Sequence, residues 1–348
     1  MSQQLDSAIP EELQVQRTCP LAMKQNWSPP YPSFSARFDS SQQYLGMLIV
    51  GVQGIAEADT PTRFHELSQQ FMSAAAETNQ VVYRDQAEFV DNAKMLNRIV
   101  VCYFNGTQDA VQAANRLSQT WFGNQSIFPK LGFYAEEIWP SIDRLETLYS
   151  SDHVQGVANL AKSLSDEVQE HGYWGSARDR LPAAQTDPLE PQTGTKTRRD
   201  AVIEIREIHN LCLIRSGQDW TETSGEERRM YLEDVEPVLA RGMKFLTDEG
   251  SEVGCISNRY VRVLNDDGQA IDQSYGMSWW NSMKDLDDWA RAHPTHKNIF
   301  GVAMKYLGEH GGSGHLKLTH EVFVIDKAQG HFEYLNCHSG TGVLSAIQ

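Results

Sequence analysis

At 348 residues, with 40% hydrophobic and 22% charged side chains, the chain has the make-up of a folded globular protein and enough length for two domain-sized cores. A net charge of −16 without any stripe of Lys and Arg argues against a nucleic-acid partner, and no apolar run approaches the roughly 20 residues that span a bilayer, so no membrane role is expected. Five scattered cysteines and an opening segment without a signal or transit pattern point to the cytoplasm, and the absence of CxxC and CxxCH leaves neither a zinc ribbon nor a covalently attached haem.

Residues 1–40, rich in Pro, Ser and Gln, read as an N-terminal extended arm that wraps something else. The apolar run Tyr44 to Val52 is of strand length, and a helix follows near Pro61 to Thr78, with Phe64, Leu67 and Phe71 at helical spacing. A weak strand near Val81 to Asp91 precedes a strong one, Arg98 to Phe104, which ends at Asn105-Gly106. A helix near Asp109 to Thr120 and a strand around Phe128 to Glu136 complete the first half. Residues 157–170 read as helix, and 181–198, with its Pro, Thr and Gln, as a linker.

The second half repeats the scheme. Its strands are expected at Ala201 to Arg215, Gly254 to Leu264, Ser274 to Trp280 and Leu316 to Ile325, and its helices at Glu226 to Thr247 and at Asp285 to Leu307, the latter broken at Pro294. A last strand, His331 to Cys337, closes the chain. The fold class is therefore α+β, with two ferredoxin-like units per chain, at 41–180 and 199–348, whose sheets face each other in a barrel.

His296 stands out because Ile299, Phe300, Ala303 and Leu307 follow it on one helical face, with Pro294 at the first turn. One imidazole heading an apolar face suits an axial haem ligand; a hydrogen-bonded core histidine fits the same pattern, and His293 with His296 could bind zinc. In the strand LKLTHEVFVI, alternation places Leu316, Leu318, His320, Val322 and Val324 together and Glu321 on the wetter side. His320 is then either a proton-transfer group or a buried, hydrogen-bonded histidine. Ser216 ends an apolar strand in IRSGQDW, and Arg178 follows two aromatics in HGYWGSARDR. Functional side chains occur at such strand and helix ends, as do ordinary turns and surface charges.

Taken in order, YWGSARDR, LIRSGQDW, VGCISNRYVR, HPTHKNIF, LTHEV and YLNCHSGTG resemble the signature stretches of the haem-dependent aldoxime dehydratases, also called phenylacetaldoxime dehydratases. The resemblance covers most of the chain from about Tyr44 onward. It implies a lyase that removes water from an aldoxime to give a nitrile on ferrous haem b held without covalent bonds, in a cytoplasmic homodimer of the dimeric α+β-barrel type. His296 would be the proximal iron ligand and His320 the distal acid and base. Ser216 and Arg178 would hold the oxime hydroxyl, and Glu136 would assist, with Glu137 beside it leaving that register open. The chain departs from the family at Thr319, where Tyr is common, and in a longer loop, GEHGGSGH, at 308–315. Other readings of the same residues are a haem monooxygenase, a haem carrier that needs only His296, and a zinc hydrolase.

Overall fold

The computed structural model describes residues 5–55, 60–123, 126, 128, 130–310 and 314–346. In chain order the strands of the first part are β1 (Ala36–Arg37), β2 (Leu45–Gly54), β3 (Val81–Val90), β4 (Leu96–Asn105), β5 (Gly132–Ile138), β6 (Leu145–Tyr149) and β7 (Ser163–Leu164), with helices α1 (Thr60–Ala76), α2 (Gln108–Gly123) and α3 (Ser176–Arg180). The second part holds β8 (Thr195–Arg199), β9 (Val202–Arg206), β10 (Leu211–Asp219), β11 (Cys255–Leu264), β12 (Ala270–Trp280), β13 (Lys317–Ile325) and β14 (Gly330–Leu335). Its helices are α4 (Gly225–Met230), α5 (Glu236–Asp248), α6 (Met283–Ala292) and α7 (Pro294–His310).

Twelve of these strands form one antiparallel sheet in the order β6-β13-β10-β12-β11-β3-β4-β2-β5-β14-β9-β8. Two four-strand blocks are visible in it, β13-β10-β12-β11 and β3-β4-β2-β5, and β11 pairs with β3 to join them. The strand that follows the first block in sequence, β6, extends the second block, and the last strand, β14, extends the first. The blocks are thus interleaved along the chain.

Each block covers one sheet face with helices and turns the other toward its counterpart. A single inner core draws Ile49, Val101 and Tyr134 from the first block and Leu213, Met277 and Phe323 from the second. A separate cluster, with Phe64, Phe71 and Trp121, lies under α1 and α2, and a third, with Leu246, Trp280 and Trp289, under α5 and α6. Because β2 is covered on both sides, its sequence is a continuous apolar run with no alternation. Gly51 is required there, since a Cβ would stand 1.9 Å from the ring of Tyr134 on the paired strand.

Buried charges cross the inner core between the blocks. Arg215 on β10 reaches Asp85 on β3 at 2.6 Å and the Tyr103 hydroxyl on β4 at 2.6 Å, and Tyr103 in turn donates to Glu321 on β13. Glu321 is 4% exposed, so the expectation of a wetter face is corrected. Alternation along β13 held, but both faces of this strand are covered, and the Glu321 face is the deeper one.

Several other expectations change. Residues 157–170 are not a helix: a short 3₁₀ turn at Gly156–Leu160 leads into β7, which pairs with β1 of the arm. The expected helix Glu226 to Thr247 is interrupted by a π turn at Tyr231–Val235, where Pro237 cannot donate the next backbone hydrogen bond. The expected strand Ala201 to Arg215 divides into β9 and β10 at a turn with positive φ at Glu207 and Asn210. Strands β6 and β8 were not anticipated, and β8 begins inside the expected linker. Of the loop at 308–315, residues 311–313 lie outside the described residues, as do 1–4 of the arm and 129 of the strand expected around Phe128 to Glu136.

Candidate active site

A cavity of about 250 Å³ lies between α7 and the outer face of β10 and β13. The helix wall is apolar and comes from Ile299, Phe300, Ala303 and Leu307, the face read from the sequence, together with Met304. Those side chains are only partly covered by protein: among the 17 residues of α7, Tyr306 alone is buried. An amphipathic helix normally lays its apolar stripe on the core. Here the stripe faces a slot.

His296 heads that stripe. Its Nδ1 lies 2.9 Å from the carbonyl oxygen of Ala290, so Nδ1 carries the proton and Nε2 keeps its lone pair; among the described residues Nε2 has no partner. Burial pushes the imidazole down to about 4, the Ala290 carbonyl acting in the opposite sense and the charge of His320 in the same one, so the ring is neutral at pH 7. The indoles of Trp289 and Trp174 stand edge-on to it, with ring centroids 4.7 and 5.7 Å away. His293 is turned elsewhere. Its ring stacks on Phe245 at 4.2 Å and its Nδ1 meets the Thr295 hydroxyl at 2.8 Å, and among the described residues no three His, Cys, Asp or Glu side chains are grouped to hold a metal ion.

The opposite wall is made by register. Ser216 on β10 and His320 on β13 are directly paired across the antiparallel ladder, which sets their Cβ atoms roughly 5 Å apart on one face. Leu148 on β6 pairs with His320 from the other side and also lines the cavity. The arm contributes Tyr31 and Ser33 to this wall, while much of the rest of it is bonded to residues between 147 and 187.

The residue that the sequence reading missed is Glu146. It lies on β6 two residues before Leu148, on the same face, with its side chain fully covered. Its Oε1 comes within 3.2 Å of His320 Nε2, off the hydrogen-bond axis, and its Oε2 accepts from Arg180 Nε at 2.8 Å. Burial would raise this carboxyl, but Arg180 and His320 outweigh it and hold Glu146 below its ordinary range, so it remains a carboxylate. An acid within the alternating apolar stretch LETLY was the available signal.

Two expected residues are placed elsewhere. Glu136 sits in the inner core, where both oxygens bind the Arg259 guanidinium and also accept from Trp279 Nε1 at 2.9 Å and the Tyr334 hydroxyl at 2.7 Å. Its neighbour Glu137 faces away, with burial and then Glu333 raising its carboxyl to about 8. Neither lines the cavity. Arg178 donates to the carbonyls of Asp187 and Pro188 at 3.3 and 3.0 Å, and it is Arg180, two residues on, that reaches the His320 cluster through Glu146. The YWGSARDR stretch touches the cavity helix through Trp174, which packs on Phe300 at 4.6 Å.

The residues fit a haem. They provide a neutral imidazole with one free nitrogen, an apolar helix face only partly covered by protein, and polar groups gathered mainly on the facing strands β10 and β13. The sequence pattern of the haem-containing dehydratase family matches residues 48–343. The chain is 35% identical to the aliphatic aldoxime dehydratase of Rhodococcus erythropolis over 354 aligned positions, covering 98% of each. It is 28% identical to the phenylacetaldoxime dehydratase of Bacillus sp. (strain OxB-1), covering 92% of this chain and 93% of that one. A crystal structure of an aldoxime dehydratase in complex with butyraldoxime superposes with a TM-score of 0.91 at 34% identity, covering 98% of this chain and 96% of the other.

Proposed function

The chain belongs to the haem-containing dehydratase family, and from that premise we propose that it is an aldoxime dehydratase, a lyase that turns an aldoxime into a nitrile and water in the slot between α7 and β13. The observation that carries the site assignment is the pair Ser216 and His320, placed opposite a helix face headed by an imidazole with a free Nε2. His296 is the residue that would hold the iron of haem b, with Ala290 fixing its tautomer. When bound, the haem supplies a coordination position for the oxime nitrogen and electron density that weakens the N–O bond.

The chain's own groups then handle oxygen and protons. Ser216 donates a hydrogen bond to the oxime oxygen and holds it beside His320. His320, whose Nε2 lies 3.2 Å from the Glu146 carboxylate, donates a proton to that oxygen, which leaves as water. The neutral imidazole next takes the proton from the oxime carbon, which completes the nitrile and restores the acid. No net oxidation or reduction occurs. Arg180 keeps Glu146 charged, and the arm, through Tyr31 and Ser33, limits the access of bulk water. Glu136 is left with a structural role between the sheets. Arg178, held on loop carbonyls, contacts the oxygen only if it gives up those bonds.

Each block connects its strands in the fourth-first-third-second order of a ferredoxin-like unit, and on that ground we read two such units per chain. The homodimer of the dimeric α+β-barrel type follows from the family resemblance. A cytoplasmic location accords with five unpaired cysteines. The activity is tested by supplying an aldoxime to the dithionite-reduced protein without oxygen. Nitrile should form over many turnovers with no further reductant consumed. A requirement for oxygen, or one reductant per product, would overturn the dehydratase reading in favour of a monooxygenase.

A further inference from the structure

We infer that Glu227 is a positioning residue for the haem slot, pinning the closed end of the hairpin that α7 and β13 form around it. The inference rests on the haem reading given above. Glu227 lies on α4, outside both arms of the hairpin, and its side chain is only 11% exposed. Its Oε1 accepts from the Tyr306 hydroxyl, from the backbone N–H of His315 at 2.5 Å and from that of Leu316 at 3.1 Å; its Oε2 lies 3.0 Å from His315 Nδ1. One carboxylate thereby ties the end of the helix to the start of the strand. Burial opposes its charge, but these donors outweigh burial and keep the carboxyl below its ordinary range. Gly314 completes the junction: a Cβ there would stand 3.0 Å from the Tyr306 oxygen, so a side chain would press on the latch.

The position of this latch gives it leverage. His296 lies ten residues from Tyr306 along the helix, roughly 15 Å, and His320 four residues from Leu316 along the strand, roughly 13 Å. The two functional imidazoles therefore sit at similar distances from the pinned end, one on each arm. Tyr306 is the one fully buried residue of α7, while Ile299, Val302 and Leu307 pack only in part against neighbouring clusters, so the firmest anchorage of the helix is at this end. Tyr306 and Leu316 share a small cluster with Trp220, Met230 and Tyr231, and Glu227 supplies the polar contacts at its edge. Without the carboxylate, the Tyr306 hydroxyl and the N–H of His315 lose their acceptor and the hairpin can splay. Haem should then escape faster even though its ligand His296 is intact.

The test is the rate of haem transfer from the holoprotein to excess apomyoglobin, measured for the wild type, Glu227→Ala, Glu227→Gln and Tyr306→Phe. Glu222→Gln serves as a control that removes a neighbouring carboxylate, the partner of Lys317, without touching the Glu227 contacts. Glu227→Ala should release haem at least about 10-fold faster, the loss expected for a charge-assisted set of hydrogen bonds. Glu227→Gln, which keeps an acceptor oxygen, should restore much of the retention. The Soret maximum should stay at the wild-type position in every variant, since axial ligation is unchanged. A Glu227→Ala release rate within twofold of wild type, or one matched by Glu222→Gln, would overturn the latch. Should Glu227→Ala fail to fold, Tyr306→Phe decides: it removes one donor to Glu227 and should release haem several-fold faster, and a rate within twofold of wild type also overturns the latch. A wild-type protein that holds no haem would instead overturn the haem reading, and the latch with it.

Discussion

The two halves of the molecule share a strand order and differ in what lies between helix and sheet. In the first, α1 buries Phe64, Leu67, Phe71 and Met72 among others, α2 buries Leu117 and Trp121, and the helix-covered face of the sheet answers with Val50 paired to Ala135. In the second, the comparable face pairs Ser216 with His320, and α7 buries only Tyr306. The first half is filled by its own side chains. The second leaves the α7 face only partly covered above a cavity, with Ser216 and His320 among its few polar lining groups.

If the first half is self-sufficient, Phe64→Ala should cost about 3–5 kcal/mol in apo and haem-loaded protein alike, as for any large truncation in a closed core. Phe300→Ala, in the open half, should cost the apo form less, about 1–2 kcal/mol, since its ring is only partly buried and packs on Trp174, while lowering the temperature at which the holo form melts. Denaturant titration of both forms checks this. Equal losses for the two variants in apo protein would erase the contrast.

A second prediction concerns the seam between arm and cavity. His171 is completely buried beneath Tyr31, with ring centroids 4.9 Å apart, and neither of its nitrogens has a hydrogen-bond partner among the described residues. Burial, and after it Arg180, pushes this imidazole down to about 4. In the unfolded chain it titrates near 6.5, so between these values the unfolded state binds the extra proton and stability falls as pH falls. The loss across that window is about 3 kcal/mol. His171→Phe should flatten this part of the stability profile; an unchanged slope from pH 6.5 to 4 would show that the ring is not the titrating group.

Within the open half, Ser216→Ala should slow turnover on the order of 10²-fold with haem retained, as when one preorganised donor to a developing charge is removed. Arg178→Ala should have the smallest effect, a few-fold at most, because its guanidinium is engaged by loop carbonyls away from the cavity. Steady-state rates per bound haem rank the two. A larger loss for Arg178→Ala would mean that it swings into the cavity when substrate binds.

How far the sequence could be read follows from which signals are local. The stripe from His296 through Leu307 and the alternation that puts His320 with Leu318 and Val322 are periodicities within one element, and both survive in the structure. The length of β2 was legible because its apolar run is uninterrupted. What escaped depends on pairing between distant segments. Strand β6 is five residues long, and its partner β13 lies about 170 residues later, so the acid in LETLY could be noticed locally but its place beside His320 could not. Glu321 reads as a solvent-side acid because a covered second face cannot be inferred from alternation alone. The same reason applies to Glu136: its neighbour Arg259 comes from the other half of the chain. The helix expected over 157–170 gave way to pairing of β7 with the arm, a tertiary contact that outweighs local propensity.

The central claim is that His296 holds the haem and His320 moves the proton. It is tested most directly by measuring haem content and turnover together in the wild type, His296→Ala and His320→Ala. The account predicts one haem per chain in the wild type, its loss in His296→Ala, and full haem in His320→Ala with turnover lowered by roughly 10²–10⁴-fold. Full haem in His296→Ala together with haem loss in His320→Ala would exchange the two assignments, and near-normal nitrile formation by His320→Ala would contradict the mechanism outright.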